Sequence, residues 1–126
     1  MIKITKETLL LQQMLDSLKT DTSGSIVTHT AIIRPSSEGK KVTSIEYEAN
    51  KAEADKELQK IASEIQAKLE IQDISLCRRL GKLEVGDAIL IAAVAAPHRK
   101  EAFKACADAV ERMRGMTSVS KREIYE

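Results

Sequence analysis

The chain has 126 residues, about one domain's worth, and carries 20 Lys and Arg against 19 Asp and Glu for a formal charge of +1, so nothing draws it generally to nucleic acid or an anionic membrane and any basic site must be local. At 43% hydrophobic and 31% charged residues it has the apolar content of a folded globular protein, not of a disordered one. With one Phe, two Tyr and no Trp it lacks the ring platform of a single-strand nucleic-acid binder, and its core must be aliphatic.

In chain order, Thr5 can cap a helix through Leu9, Leu11, Met14, Leu15 and Leu18, because leucines at this spacing share one face. The stretch Asp21-Thr-Ser-Gly24 ends that helix. Ser25 to Arg34, β-branched almost throughout, reads as a strand closed by Pro35. The polar segment Pro35–Gly39 reads as a mobile loop before a second strand containing Val42, Ile45, Tyr47 and Ala49. Asn50 and Glu53 have the spacing of a capping box, and Ala54, Leu58, Ile61, Ile65 and Leu69 then recur with helical period. Ile71 to Leu80 reads as a strand, Gly81 to Asp87 as a turn, and Ala88 to Ala96 as a central strand apolar on both faces and paired with Ile71–Leu80. Pro97 suits the first turn of a helix along which Phe103, Cys106, Ala107, Val110 and Met113 form a stripe ended by Gly115. A strand from Ser118 to Tyr125 closes the chain. The order predicts an α+β fold, one domain over 1–126, in which strands adjacent in sequence pair antiparallel.

No long apolar leader follows Met1, and the run Ala88 to Pro97 falls well short of the about 20 residues that cross a bilayer, so a cytoplasmic protein is expected. Cys77 and Cys106 lie far apart with neither CxxC nor a nearby His, and read as buried thiols. Phosphate-loop, HExxH and GxSxG signatures are missing. What remains is cationic: Arg34 at a strand end, His98-Arg99-Lys100 entering the last helix, Arg112 and Arg114 in its last turn, and Lys121-Arg122 in the final strand. A helix N-terminus with a His-Arg pair suits a phosphate or carboxylate. Each also has a plainer reading. Arg112 and Arg114 complement the helix dipole, Lys121-Arg122 fit a solvated edge, His98 fits a helix-start hydrogen bond, and His29 fits a packed histidine.

Five segments in order resemble the large, catalytic subunits of molybdopterin synthase: Gly24–Arg34, Ile45–Ala49 leading into a helix, Arg79–Asp87, Ala95-Ala-Pro-His-Arg99 leading into Glu101-Ala-Phe103, and Lys121-Arg-Glu123. The likeness runs from about Gly24 to Tyr125. It implies an α/β hammerhead-like domain with a small antiparallel β subdomain. It further implies sulfur transfer from the thiocarboxylated C-terminal Gly-Gly tail of a small ubiquitin-like carrier subunit. The acceptor is cyclic pyranopterin monophosphate, which becomes the dithiolene of molybdopterin without a metal or organic cofactor. The implied assembly is a homodimer within a heterotetramer. By the same resemblance Arg34, His98 and Arg99 match substrate-binding positions, His98 and Arg99 reaching across the dimer, while Lys121 and Arg114 match catalytic ones. Arg114 stands where the family ordinarily has a lysine, and Met116–Ser120 lacks the usual proline and tryptophan. Ala31, Ile32 and His29 also depart from the family pattern. Two other readings remain open from the sequence: a noncatalytic paralogue that binds the carrier, and an unrelated α+β interaction domain.

Overall fold

In the computed structural model, which describes residues 1–125, the chain runs β1 (Ile2–Thr5), α1 (Leu11–Ser17), β2 (Ser25–Ile32), β3 (Ser36–Ser37), β4 (Lys40–Ala49), α2 (Lys51–Lys68), β5 (Asp73–Arg79), β6 (Gly81–Glu84), β7 (Ala88–Ala96), α3 (Arg99–Arg114) and β8 (Val119–Tyr125). The larger sheet has the order β1-β5-β7-β2, antiparallel except for the β1–β5 pair. In the smaller sheet β4 pairs antiparallel with β3, β6 and β8. The fold is α+β, as the order of elements predicts.

Strand β7 has no charged residue and is buried on both faces. Leu90, Ala92 and Val94 face the main core, into which α2 sends Ala54, Leu58, Ile61 and Ile65 and α3 sends Ala105, Cys106, Ala109 and Met113. Ile91, Ala93 and Ala95 face the other way, toward Leu9, Met14 and Leu18 in and around α1. The run of alanines lets helices approach the sheet closely, and this double coverage accounts for an apolar run without alternation. Asn50 caps α2 as expected, its side-chain oxygen accepting from Glu53 N at 3.1 Å.

Several elements differ from the sequence reading. The N-terminus is a strand, not the start of a helix: Ile2 and Ile4 alternate, and β5 offers a free edge with which β1 pairs in parallel. Thr5 turns the chain instead of capping it, its hydroxyl accepting from Glu7 N, and the helix shrinks to Leu11–Ser17. The loop expected at Pro35–Gly39 is a hairpin of β3 with β4, whose two-residue turn places Glu38 at φ 52° and Gly39 at φ 77°. Positive φ at both central positions matches the right-handed twist of the flanking strands. Gly81–Asp87 is not all turn. Gly81–Glu84 pairs with β4, and the turn is confined to the residues that follow, where Asp87 Oδ2 accepts from Glu84 N. The two strands expected on either side of the Pro35–Gly39 loop, β2 and β4, do not pair; they belong to different sheets.

Gly24 meets a hard steric limit. A Cβ there would stand 2.7 Å from the Pro97 carbonyl oxygen, while Gly24 N donates to Ala96 O. This close approach sets the start of β2 against the end of β7, where Ser25 opposes Ala96. Gln72 fixes the preceding turn: its Oε1 accepts from Thr22 N and Ser23 Oγ, and its Nε2 donates to Asp21.

Candidate active site

The chain passes between its two sheets at residues 33–35, 80–81 and 85–88, and a cavity of about 510 Å³ lies at that junction. It is lined by the end of β2 and the residues after it from His29 to Arg34, the start of β7, Arg78 of β5, Ile45 and Tyr47 of β4, Arg114 at the end of α3 and Met116 beyond it, and Val119, Lys121 and Glu123 of β8. Its place follows from alternation along the strands. Tyr47 opposes Lys121 and Ile45 opposes Glu123 in the β4–β8 register, so all four share the face that looks into the cavity. Glu46, Glu48, Ser120 and Arg122 occupy the other face, where Arg122 Nη2 meets Glu46 Oε2 at 2.7 Å. Of the adjacent pair Lys121-Arg122, one lines the cavity and the other is the solvated edge charge of the plainer reading.

Four cations meet here. Arg34 follows Ile33, which is buried and pinned by its N–H to Asp87 O and its carbonyl from Gly86 N. Arg114 ends α3 and is exposed, while its neighbour Arg112 turns away to Glu64 at 3.3 Å and serves helix packing. Lys121 Nζ lies 2.9 Å from Glu123 Oε1, and Tyr125 donates its hydroxyl to the other Glu123 oxygen. That bond, with desolvation and nearby acidic charge, raises the Tyr125 pKa.

The fourth cation, Arg78, was not singled out from the sequence. It is 5% exposed, its Nη1 donates to the Met113 carbonyl, and its guanidinium lies 5.2 Å from the centre of the Tyr47 ring. Burial pushes its pKa below the usual arginine value; Tyr47 and Glu57 act the other way, and the Arg114 charge adds to the depression. A signal for it exists in the chain. Ile74 and Leu76 face the main core, and Arg78 continues that two-residue phase, so it is a charge in an apolar register. Glu57 was also missed. Its Oε1 accepts from the N–H and hydroxyl of Ser118 and its Oε2 from Thr117 N. Burial opposes its charge, but these bonds and Arg78 outweigh that and hold its carboxyl below the ordinary value. Glu57 thereby ties the lead into β8, and so Lys121, to α2.

His98 and Arg99 do not reach this cavity within the chain. They are exposed at the start of α3, and its 16 residues put them about 22 Å along the helix from Arg114. His98 is the N-cap, with no side-chain capping bond. His29 is not packed: β2 forms the sheet's edge, and the imidazole is exposed at the cavity rim. Cys77 and Cys106 are free and buried. Among the described residues no group of three or more His, Cys, Asp or Glu could hold a metal ion, and no helix is long and apolar enough to cross a membrane.

A junction cavity carrying three arginines and a lysine, in an α+β fold, has the chemistry to hold an oxyanion. Comparison with known proteins makes this specific. The family model described as MoaE protein matches residues 4–116. The molybdopterin synthase catalytic subunit of Bacillus subtilis (strain 168) is 32% identical over 124 residues, 98% of this chain and 79% of that protein. The human protein of the same description is 34% identical over 125 residues, 99% of this chain and 66% of that protein. The crystal structure of molybdopterin synthase from Staphylococcus aureus superposes with a TM-score of 0.93 at 32% identity, covering 99% of this chain and 91% of that one. A complex of subunits 1 and 2 of the molybdopterin-converting factor from Helicobacter pylori shares the fold, with a TM-score of 0.77 at 12% identity, over 100% of this chain and 86% of that one. The chain belongs to the MoaE family, and its activity is that family's, sulfur transfer in the formation of molybdopterin.

Proposed function

We propose that the junction cavity is where sulfur passes from the thiocarboxylate of a small carrier subunit to cyclic pyranopterin monophosphate, with Lys121 and Arg114 at the reacting groups and Arg34 holding the substrate's phosphate. The observation that carries this reading is the convergence of Arg34, Arg114 and Lys121, from three separate parts of the chain, on one cavity. The reaction brings together an anionic phosphate and an acyl terminus and develops negative charge on oxygen and sulfur. Fixed cations stabilise that charge, and more strongly where the surrounding protein excludes water. Lys121, steadied by Glu123, is the one amine among the four cations and the candidate for moving a proton. Arg114 is a guanidinium that stays protonated, so its share is to hold charge.

His98 and Arg99 enter this reading as residues of a second copy in the family's dimer, reaching the cavity of the neighbouring protomer. The carrier is a small ubiquitin-like protein whose Gly-Gly end enters the cavity near Lys121, and the Helicobacter pylori neighbour, a complex of two subunits, supports such an assembly. We place the protein in the cytoplasm, where its two free thiols stay reduced. The reading of 1–126 as one domain is supported by the main core cluster, which draws on both sheets; Glu126 lies outside the described residues.

The test is dithiolene formation from the cognate thiocarboxylated carrier and the pterin substrate. Lys121→Ala is expected to lower turnover by about 10²- to 10³-fold, the range for removing one preorganised charge-stabilising donor, and Arg114→Lys to leave it within tenfold. A wild type that makes no product but is rescued by Arg114→Lys would instead show a carrier-binding relative that has lost catalysis, the reading that the lysine-to-arginine departure favours.

A further inference from the structure

Within the cavity Arg78 differs from the other three cations. Arg34, Arg114 and Lys121 are exposed, so water screens them. Arg78 is buried, and among the described residues no carboxylate stands within ion-pairing distance of it. The acid whose charge reaches it, Glu57, has already committed both oxygens to Thr117 and Ser118. Of the guanidinium's nitrogens, Nη1 donates to Met113 O, Nε is buried without a partner, and no bond from Nη2 is formed among the described residues. The one hydrogen bond it makes would be served equally by a neutral donor. A buried charge left without a counter-charge is strongly unfavourable, and a second cation, Arg114, faces it.

We propose that Arg78 is an oxyanion-binding residue in the floor of the cavity, its counter-charge being one oxyanion group of a ligand that it shares with Arg114. This rests on the reading of the cavity as the sulfur-transfer site and adds to it a binding residue and the group it takes. The ligand chemistry is a phosphate ester, whose two non-bridging oxygens suffice, or a C-terminal carboxylate, both of which a planar guanidinium grips through two donors. The Tyr47 ring beneath and the Met113 carbonyl beside it hold the guanidinium in one plane before the ligand arrives.

The experiment compares wild type with Arg78→Gln, which keeps an N–H donor for Met113 O and removes the charge. Inorganic phosphate and a synthetic peptide ending in Gly-Gly with a free carboxylate are titrated separately by calorimetry at fixed ionic strength, and unliganded melting is recorded. The expected result is a loss of affinity of about tenfold or more for at least one probe, with the unliganded variant melting at or above wild type because an uncompensated buried charge has gone. Loss for phosphate alone assigns Arg78 to the substrate's phosphate, and loss for the peptide alone to the carrier's terminus. Equal affinities in the two proteins, or no binding of either probe by wild type, overturn the proposal, whatever happens to melting. Should Arg78→Gln not fold, Arg78→Lys is read in its place: folded with weakened binding supports the proposal, and folded with unchanged binding overturns it. A wild type that binds through Arg78 yet forms no dithiolene would defeat the sulfur-transfer reading alone, and one that forms dithiolene with binding indifferent to Arg78 would defeat this inference alone.

Discussion

The two sheets of this molecule are built on different terms. The larger is covered by α2 and α3 on one face and by the α1 region on the other, so β7, one of its two middle strands, is apolar throughout. The smaller turns one face to the core and the cavity and leaves the other to solvent, where Glu46, Glu48, Ser120 and Arg122 stand. Both sheets supply polar groups to the junction, the larger His29, Thr30 and Arg78 and the smaller Ser36, Tyr47, Lys121 and Glu123. The smaller sheet's stability is borrowed through a few buried side chains and one carboxylate tether.

Four measurements sharpen that comparison. Leu83 on β6 is fully buried in the main core, so Leu83→Ala is expected to lower the unfolding free energy by about 2–5 kcal/mol in urea denaturation. A change below about 0.5 kcal/mol, the size of a surface substitution, would mean that the smaller sheet does not share the core. Next in size is Glu57→Gln, expected to destabilise by about 1–2 kcal/mol at neutral pH, in the range of hydrogen bonds to a charged group. Because the folded carboxyl is held below its ordinary value of 4.5, its contribution is complete above that pH and disappears as pH falls through the lowered folded value. The wild type should therefore lose stability on acidification below about pH 4.5 in a way the Gln variant does not, which denaturation at a series of pH values would show.

Arg122→Ala tests the solvated face. The Arg122 side chain is 73% exposed in its pair with Glu46, and removing it should cost no more than about 0.5 kcal/mol, with the coupling read from a double-mutant cycle. The smallest effect is chemical. Burial raises the Cys106 thiol to about 11, and it raises Cys77 against the lesser opposing pull of the N-terminus and Lys3. Both should resist a disulfide reagent in the native protein at pH 7.5 and react fully in denaturant; fast native reaction at Cys106 would mean that the α3–β7 contact opens readily.

Legibility in the sequence tracks the same division. The capped helix from Asn50, the apolar run Ala88–Ala96 and the helix ended by Gly115 were readable because period and caps are local properties. The smaller sheet was harder. Gly81–Glu84 is four residues bounded by glycine and acid and looks like a turn until β4 lies beside it. The N-terminal Ile-Lys-Ile-Thr is too short to declare itself and takes its form from the open edge of β5. In the cavity, Arg34, Arg114 and Lys121 were chosen from the sequence on charge and family likeness, whereas Arg78 and Glu57 were passed over because each looks ordinary outside its packing.

By itself the sequence determined the two long helices, the central strand, the α+β class and the family, since these depend on periodicity, capping and motif order within short stretches of chain. Tertiary structure alone decided the rest. The pairing of β4 with β6 and β8 places Lys121 on the face beneath which Tyr47 is buried, and the length of α3 carries His98 and Arg99 away from Arg114. The meeting of the two sheets leaves Arg78 buried without a carboxylate. Such facts turn on distances between residues far apart in the chain, and no local pattern encodes them.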